Sequence, residues 1–187
     1  MHIVTLAGSP KPHSKSSSLL AYLSQSLQDA DSVRHFSIQD LHVPALLAGD
    51  LTHTSIQALQ AAVAQADGVI IASPVYKASF SGVLKTILDV LPQDALAHKT
   101  VLPVASGGSL AHLLALDYAL KPVLSALKAQ EILSGVFAVD SQIQIDAQPI
   151  ILDTSLRERL DQAAQQFAHA LRCRRSYADT HSLAYSA

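Results

Sequence analysis

Hydroxyl and lysine side chains are concentrated in one short segment near the start of the chain. Residues 6–20, LAGSPKPHSKSSSLL, follow an apolar run and include five serines and two lysines. An amphipathic helical pattern resumes directly after them. The first N–H groups of a helix have no partner within it and carry partial positive charge, so they attract anions. A phosphate is the natural occupant, with hydroxyls from Ser9, Ser14, Ser16 and Ser17 and charge from Lys11 and Lys15.

The glycine content of this segment narrows the choice of phosphate-binding motifs. Gly8 is its only glycine, so neither the dinucleotide fingerprint G-x-G-x-x-G nor the motif G-x-x-x-x-G-K-[ST] is present. A hydroxyl-rich loop with one glycine fits the phosphate of a mononucleotide. The same residues would also be found if the serines only capped the helix beside solvated lysines. The segment alone leaves both interpretations open.

Two further segments carry small or polar residues in an otherwise apolar chain: residues 74–82, PVYKASFSG, and residues 106–112, SGGSLAH. Tyr76 in the first could pack against a planar ring, or could be a surface aromatic. Gly107 and Gly108 in the second could allow a ligand to approach the backbone, or could simply permit a turn from strand to helix. Both interpretations of each segment stay open at this point.

The residues around these segments predict alternating strands and helices. Strands are predicted at residues 3–7, 33–38, 68–73, 100–105 and 132–139, and helices at residues 17–29, 54–67, 82–91, 110–130 and 154–172. Two of the strands are continuous apolar runs, which is typical of strands buried on both faces of a parallel sheet. The alternation favours a doubly wound α/β domain, in which ligands bind beyond the carboxyl ends of the strands. All three polar segments follow such ends.

The predicted helix at residues 110–130 is apolar over most of its surface. Asp117, Lys121, Ser125 and Lys128 form one narrow polar stripe, and the surplus apolar area predicts self-association. His112 is out of phase with this stripe, and one extra residue in an i→i+5 bulge would account for the slip. The alternative is an ordinary buried helix kinked at its proline.

Composition excludes several classes of protein. The chain has 187 residues, 49% of them apolar, with a formal net charge of -2 and no basic face, which excludes disorder and makes nucleic acid an improbable partner. No apolar run approaches the ~20 residues that span a bilayer. Cys173 is the single cysteine and the nine histidines show no ligand spacing, so we expect neither an intramolecular disulfide nor a metal site. These features and the lack of a signal peptide predict a cytoplasmic protein.

Three long segments resemble the NADPH-dependent FMN reductase family, and within it the reductase components of two-component alkanesulfonate monooxygenase systems. The segments are LAGSPKPHSKSSSLL, ADGVIIASPVYKASFSGVLKTILDVLP and LPVASGGSLAHLLALDYALKPVLSALKAQEILSGVFAVDSQ. The resemblance extends from residue 1 to about residue 172, with residues 173–187 expected to form a loose tail. It implies a flavodoxin-like three-layer sandwich with a five-stranded parallel sheet in the order 2-1-3-4-5.

The resemblance also implies the residues that contact FMN. The flavin phosphate would be held by Ser9, Lys11, Ser14, Lys15, Ser16 and Ser17. The isoalloxazine would lie between Pro74, Val75, Tyr76 and Lys77 on one side and Ser106, Gly107, Gly108 and Ser109 on the other. The family more often has arginine at the position of Lys11; lysine keeps the charge but loses the bidentate fork, which predicts weaker flavin binding.

Relatives in this group have a π-helix around a tyrosine at a tetramer interface, and Tyr118 is the matching residue. The resemblance therefore implies a homo-oligomer, dimer or tetramer. Tyr118 and His112 are expected to act by positioning, with no catalytic acid or base. The implied activity is reduction of FMN by NADPH, with NADH retained as an alternative donor, and delivery of reduced flavin to a monooxygenase. An FMN-retaining quinone or azo reductase and a non-enzymatic electron carrier are the alternatives.

Overall fold

The computed structural model describes residues 1–27, 29–145 and 151–184. Its strands are β1 His2–Ala7, β2 Ser32–Ser37, β3 Gly68–Tyr76, β4 Ser79–Phe80, β5 Thr100–Gly107, β6 Glu131–Ile132, β7 Val136–Val139, β8 Ile143–Gln144 and β9 Ile151–Leu152. Its α-helices are α1 Lys15–Gln25, α2 Val43–Ala48, α3 Thr54–Gln65, α4 Gly82–Asp89, α5 Lys121–Ala126 and α6 Thr154–Ala184. Short 3₁₀ helices cover Ile38–Asp40, Leu110–His112 and Asp140–Gln142, and a π-helix covers Leu116–Leu120.

The main sheet is a parallel sheet in the order β2-β1-β3-β5-β6, with β7 also paired to β5 and β4 paired antiparallel to β3. The predicted fourth strand is β5 and the predicted fifth strand corresponds to β6 and β7, so the order is the expected flavodoxin-like 2-1-3-4-5. One face of the sheet packs against α1 and α6, and the other packs against α2 to α5. Successive side chains of a strand point to opposite faces, so in β1 Ile3 contributes to one core and Val4 to the other. The three-layer α/β prediction is confirmed.

The strand count differs from the prediction, because this sheet has seven strands rather than five. β4 is an added hairpin strand, and the predicted fifth strand is split into β6 and β7. Ile132 pairs with Val101 and Val136 with Val104, so three residues of one strand face two of the other, as in a bulge. Pro103 has no N–H to donate there, and Gly135 takes a φ of 86° at the break.

Three other predicted boundaries change. The helix predicted at residues 110–130 is instead a 3₁₀ turn, a π-helix and the short α5. Residues 141–153, where neither a strand nor a helix is predicted, contain the antiparallel pair β8–β9, although residues 146–150 lie outside the described part. The helix predicted to end at residue 172 continues as α6 to Ala184, so residues 173–184 are helical. No helix within the described residues is long and apolar enough to cross a membrane.

Candidate functional site

The register of the parallel strands brings the three polar segments to one edge of the sheet. Ala7 at the end of β1 pairs with Ala72 of β3, and Pro74 of β3 pairs with Ser106 of β5. The loops that follow β1, β3 and β5 therefore lie side by side, as predicted from the sequence. We call them the first loop, residues 8–14, the second loop, residues 74–81, and the third loop, residues 106–112.

The first loop leads into α1 through a cluster of hydroxyl groups. Ser14 is the N-cap of α1, since its Oγ accepts a hydrogen bond of 3.1 Å from the Ser17 N–H. The Ser14 Oγ also lies 2.8 Å from the Ser17 Oγ and 3.3 Å from the Ser16 Oγ. The first turn of α1 contains no acidic residue that would oppose its positive end. Ser14 therefore caps the helix, which both interpretations allow, and the hydroxyls lie together at the positive end of α1.

The backbone of the first loop is fixed at two further points. Ser9 is buried, and its Oγ accepts a hydrogen bond of 3.1 Å from the Lys11 N–H. Gln39, in the 3₁₀ turn after β2, donates from Nε2 to the Pro10 carbonyl at 3.0 Å. Neither partner depends on a ligand, so the loop is held in place by the chain itself.

The two lysines of this region differ in their surroundings. Lys11 is exposed on the loop. Lys15 is half-buried, and its Nζ donates to the Asp140 carbonyl at 2.9 Å and lies 3.6 Å from the Asp140 carboxylate. Asp140 directly follows β7, so this contact joins the start of α1 to the end of β7. The sequence analysis missed Asp140, because nothing in the local pattern relates two residues 125 positions apart.

Two buried serines join the first loop to the second, and we call them the serine link, Ser73 and Ser81. The Ser81 Oγ donates to the Gly8 carbonyl and accepts from the Leu84 N–H at 3.0 Å, which makes it the N-cap of α4. The Ser81 N–H donates to the Ser73 Oγ at 2.9 Å. In addition, the Gly8 N–H donates to the Ala72 carbonyl at 2.7 Å. Sequence reasoning missed both serines, although a serine before an apolar helix is an N-cap signal.

Gly8 allows this close approach of the two loops. A Cβ atom at Gly8 would lie 2.8 Å from the Leu84 Cβ and 3.2 Å from the Ala72 carbonyl oxygen. Real Cβ atoms do not approach other atoms that closely in packed interiors. The single glycine of the first loop is therefore required by packing within the chain.

The second loop is a tight hairpin rather than an open loop. β3 continues past its predicted end to Tyr76, and Val75 and Tyr76 pair with Phe80 and Ser79 of β4. The two turn residues, Lys77 and Ala78, have φ angles of 49° and 62°. Positive φ at both central positions is the geometry of a type I′ turn, which usually contains glycine or asparagine. Such strain at non-glycine residues is characteristic of functional sites.

The solvent exposure of the side chains increases along the second loop towards its turn. Pro74 and Val75 are half-buried, whereas Tyr76 and Lys77 are exposed. Tyr76 shows about half of its surface to solvent, which suits a side chain that covers a ligand as well as one that only marks the surface. The contact of Tyr76 with a planar ring therefore stays a prediction.

The third loop contains two glycines, so part of its backbone is not covered by side chains. Ser106 and Gly107 are buried at the end of β5, while Gly108 and Ser109 are exposed. The Ser109 Oγ accepts from the Ala111 N–H at 3.2 Å and starts the 3₁₀ turn. A Cβ atom at Gly108 would have no atom within 4 Å. The described residues therefore leave open space at this position of the backbone.

The predicted bulge after the third loop is confirmed as the π-helix Leu116–Leu120. It packs against β4 and β5 and continues into α5, where Pro122 in the first turn has no N–H for a helical hydrogen bond. Tyr118 is 80% exposed on it, and Asp117 and Lys121 pair at 2.5 Å. His112 is half-buried. Three further apolar side chains near Tyr118 are exposed: Leu110, Leu113 and Leu114.

Titratable groups at the opposite, amino-terminal edge of the sheet are occupied by structural contacts. Lys99 donates to the carbonyls of Ala64 and Ala66 at 3.1 and 2.8 Å, and burial lowers the pKa of its ammonium group. Cys173 is exposed on α6, with its Sγ 3.5 Å from the His169 Nε2. Within the described residues, no group of three or more His, Cys, Asp or Glu side chains could hold a metal ion.

Comparisons with known proteins agree with this arrangement. Residues 1–144 match the model of the family described as NADPH-dependent FMN reductase. The FMN reductase (NADPH) of Pseudomonas putida is 52% identical over 174 residues, which cover 91% of this chain and 88% of the relative. The FMN reductase (NADPH) of Escherichia coli is 51% identical over 172 residues, 91% of this chain and 90% of the relative.

A solved structure also matches nearly the whole chain. The apo form of the NADH:FMN oxidoreductase EMOB superposes with a TM-score of 0.81 at 39% identity, over 90% of this chain and 88% of that one. The family model spans the three loops and ends after the Lys15–Asp140 contact, so it includes every part of the candidate site. The chain belongs to the NADPH-dependent FMN reductase family.

Proposed function

We propose that this protein transfers a hydride from NADPH to FMN, and that FMN acts as a substrate which leaves after reduction. The observation that carries the proposal is the cluster of serine hydroxyls at the start of α1, beside two loops that could enclose a planar ring. The Ser14 Oγ lies 3.3 Å from the Ser16 Oγ and 2.8 Å from the Ser17 Oγ. Family membership supplies the identity of the ligand.

The chemistry of the first loop fits the phosphate of FMN. Serine hydroxyls and lysine ammonium groups donate hydrogen bonds to anionic oxygens, and the unopposed positive end of α1 adds to the attraction. We propose that these donors are Ser9, Lys11, Ser14, Lys15, Ser16 and Ser17. No carboxylate lies within the first, second or third loop, so none of them repels an anion from inside the site.

The second and third loops fit the flavin ring. The open space above Gly108 admits a ligand close to the backbone, because no side chain of the chain fills it. We propose that the isoalloxazine lies between the hairpin residues Pro74, Val75, Tyr76 and Lys77 and the backbone of Ser106, Gly107, Gly108 and Ser109. Lys77 and Ala78 form the strained turn of the hairpin that carries Tyr76.

Bound FMN supplies a ring nitrogen that accepts the hydride of a reduced nicotinamide. The residues of the chain bind and align the two rings, and such alignment lowers the barrier without proton transfer from a side chain. We propose that His112 and Tyr118 contribute to this positioning. The absence of an acid–base pair among the three loops is in keeping with this division of work.

We propose that the reduced flavin is passed to a flavin-dependent monooxygenase in alkanesulfonate assimilation. Lysine at positions 11 and 15 lacks the bidentate fork with which arginine holds phosphate, and this favours a flavin that leaves. The resemblance to reductases of alkanesulfonate systems supplies the class of partner. A cytoplasmic location, where NADPH and reduced thiols are maintained, belongs to the same proposal.

We also propose that the protein is a homo-oligomer, dimer or tetramer, formed through the segment that contains the π-helix. Leu110, Leu113, Leu114 and Tyr118 expose between 42% and 80% of their surface there. An apolar group of this kind on a water-soluble chain is a typical interaction surface. Its position beside the third loop would bring the interface close to the flavin.

The experiment is to purify the protein, record its flavin absorbance, and follow NADPH oxidation with and without added FMN. We expect a colourless or weakly coloured protein whose NADPH oxidation depends on free FMN, with NADH tested in parallel. A yellow protein that reduces a quinone or an azo dye without free FMN would replace the proposal by an FMN-retaining reductase. Flavin binding without NAD(P)H oxidation would replace it by an electron carrier.

A further inference from the structure

Lys15 is the one predicted phosphate ligand whose charge is already paired within the chain. It is the first residue of α1, yet its ammonium group points to Asp140 beyond the end of β7, with distances of 2.9 Å to the carbonyl oxygen and 3.6 Å to the carboxylate. Both side chains are partly exposed, at 30% for Lys15 and 44% for Asp140. An exposed pair of this kind is weak enough to open when a stronger anion arrives.

Asp140 is held at the edge of the site by contacts of its neighbours. Val139 pairs with Gly107 of the third loop, so Asp140 follows directly beside the site. The 3₁₀ turn Asp140–Gln142 is closed by the Gln142 Oε1, which accepts from the Val139 N–H at 3.0 Å. Arg159 on α6 donates to the same Oε1 at 3.3 Å and to the Phe137 carbonyl at 2.7 Å. These contacts fix the backbone that carries the Asp140 carboxylate beside Lys15.

We propose that Asp140 competes with the FMN phosphate for Lys15 and so weakens flavin binding to the level that release requires. The inference rests on the proposed function for the position of the phosphate. When the phosphate is present, Lys15 must divide its charge between two anions or leave the Asp140 carboxylate, and a carboxylate near a phosphate repels it. When reduced flavin leaves, Asp140 again neutralises Lys15. Asp140 thus tunes affinity and does not touch the reacting atoms.

The substitution Asp140→Asn isolates the charge. It removes the carboxylate but keeps the backbone carbonyl to which the Lys15 Nζ donates, so Lys15 keeps its orientation. We expect the Kd for FMN to fall about two- to fivefold, in line with the strength of partly exposed ion pairs. The dissociation rate measured by stopped flow should fall by a similar factor, because affinity changes within one site appear mostly in the off-rate.

The experiment titrates FMN and riboflavin into the wild type, Asp140→Asn, Lys15→Gln and the double variant, with flavin fluorescence as the readout. The Kd for riboflavin, which has no phosphate, should not change in Asp140→Asn. In the Lys15→Gln background the added Asp140→Asn change should lose most of its effect. The matched control is Asp89→Asn, which breaks the Lys85–Asp89 pair of 2.6 Å on the exposed face of α4 and should leave the Kd for FMN unchanged.

The outcomes separate the inference from the proposed function. If Lys15→Gln weakens FMN binding but Asp140→Asn leaves it unchanged or weaker, the competition is refuted and the phosphate position is kept. If Asp140→Asn tightens riboflavin as much as FMN, the competition is also refuted. If the wild type binds FMN no better than riboflavin and Lys15→Gln changes nothing, the phosphate position itself is wrong, and the inference fails with it.

Discussion

The first two loops of the candidate site differ sharply from the segment that runs from the end of the third loop into the π-helix. The serine link ties the first and second loops through buried hydrogen bonds, and no buried side-chain nitrogen or oxygen in the described residues lacks a partner. The segment Leu110 to Leu120 is instead an interrupted helix with exposed apolar side chains. The difference indicates that the monomer alone builds the polar half of the site. The apolar side chains after Ser109 are exposed in the monomer, and we propose that a second subunit covers them.

The largest effect is expected when the serine link is broken. Ser81→Ala removes the N-cap of α4 and leaves the buried Gly8 carbonyl without its donor. The loss of the cap and of this buried hydrogen bond should lower the free energy of unfolding by about 2–4 kcal/mol. FMN binding should weaken as well, because the first loop loses its attachment to the second. Urea unfolding and FMN titration measure the two effects.

Ser24→Ala serves as the control for the serine link. Ser24 lies within α1 and its Oγ donates only to the Leu20 carbonyl of the same helix. Its removal should change stability by less than about 0.5 kcal/mol, since alanine is the better helix former. If Ser81→Ala were as well tolerated as Ser24→Ala, the two loops would not depend on each other.

A smaller effect on stability, but a clear effect on binding, is expected at the third loop. Gly108→Ala adds a methyl group that meets no atom of the chain within 4 Å, so the free energy of unfolding should stay equal or rise by up to about 1 kcal/mol. FMN binding should weaken several-fold, because the methyl group would occupy the space proposed for the ring. Calorimetry and flavin titration on one preparation give both values, and unchanged FMN affinity would remove Gly108 from the site.

The smallest effect on folding is expected at Tyr118. Its side chain is 80% exposed, so Tyr118→Ala should change the free energy of unfolding of the monomer by less than about 0.5 kcal/mol. The proposed oligomer should nevertheless dissociate at a higher protein concentration than the wild type does, as measured by sedimentation velocity. Leu47→Ala, at a residue 72% exposed on α2, is the matched control and should leave the sedimentation coefficient unchanged. Equal behaviour of the two variants would contradict an interface at the π-helix.

Much of the fold was predictable, since strands buried on both faces appear as continuous apolar runs such as residues 68–73. The split of the fifth strand was not, because it depends on how Gly135 and Pro103 oppose each other across two strands. The extension of α6 past residue 172 was missed for another reason. Residues 173–184, CRRSYADTHSLA, show too few apolar residues to form a periodic stripe, which is the signal used to find helices.

The positions of the three loops were predictable as well, because parallel strands end at a common edge. The contacts between the loops were not. Ser73 lies within an apolar strand, and its pairing with Ser81 depends on the hairpin between them. The contact of Lys15 with Asp140 joins two residues that lie 125 positions apart in the chain. Such long-range pairs leave no local trace in residue spacing.

A crystal structure of the protein with FMN tests the proposed site most directly. We expect phosphate oxygens within about 2.5–3.0 Å of serine hydroxyls at the start of α1, and the ring between the hairpin of Tyr76 and the backbone of Gly107 and Gly108. Lys15 should then have moved towards the phosphate and away from the Asp140 carboxylate. A flavin whose phosphate lies away from α1, or whose ring lies outside the second and third loops, would contradict the proposed site.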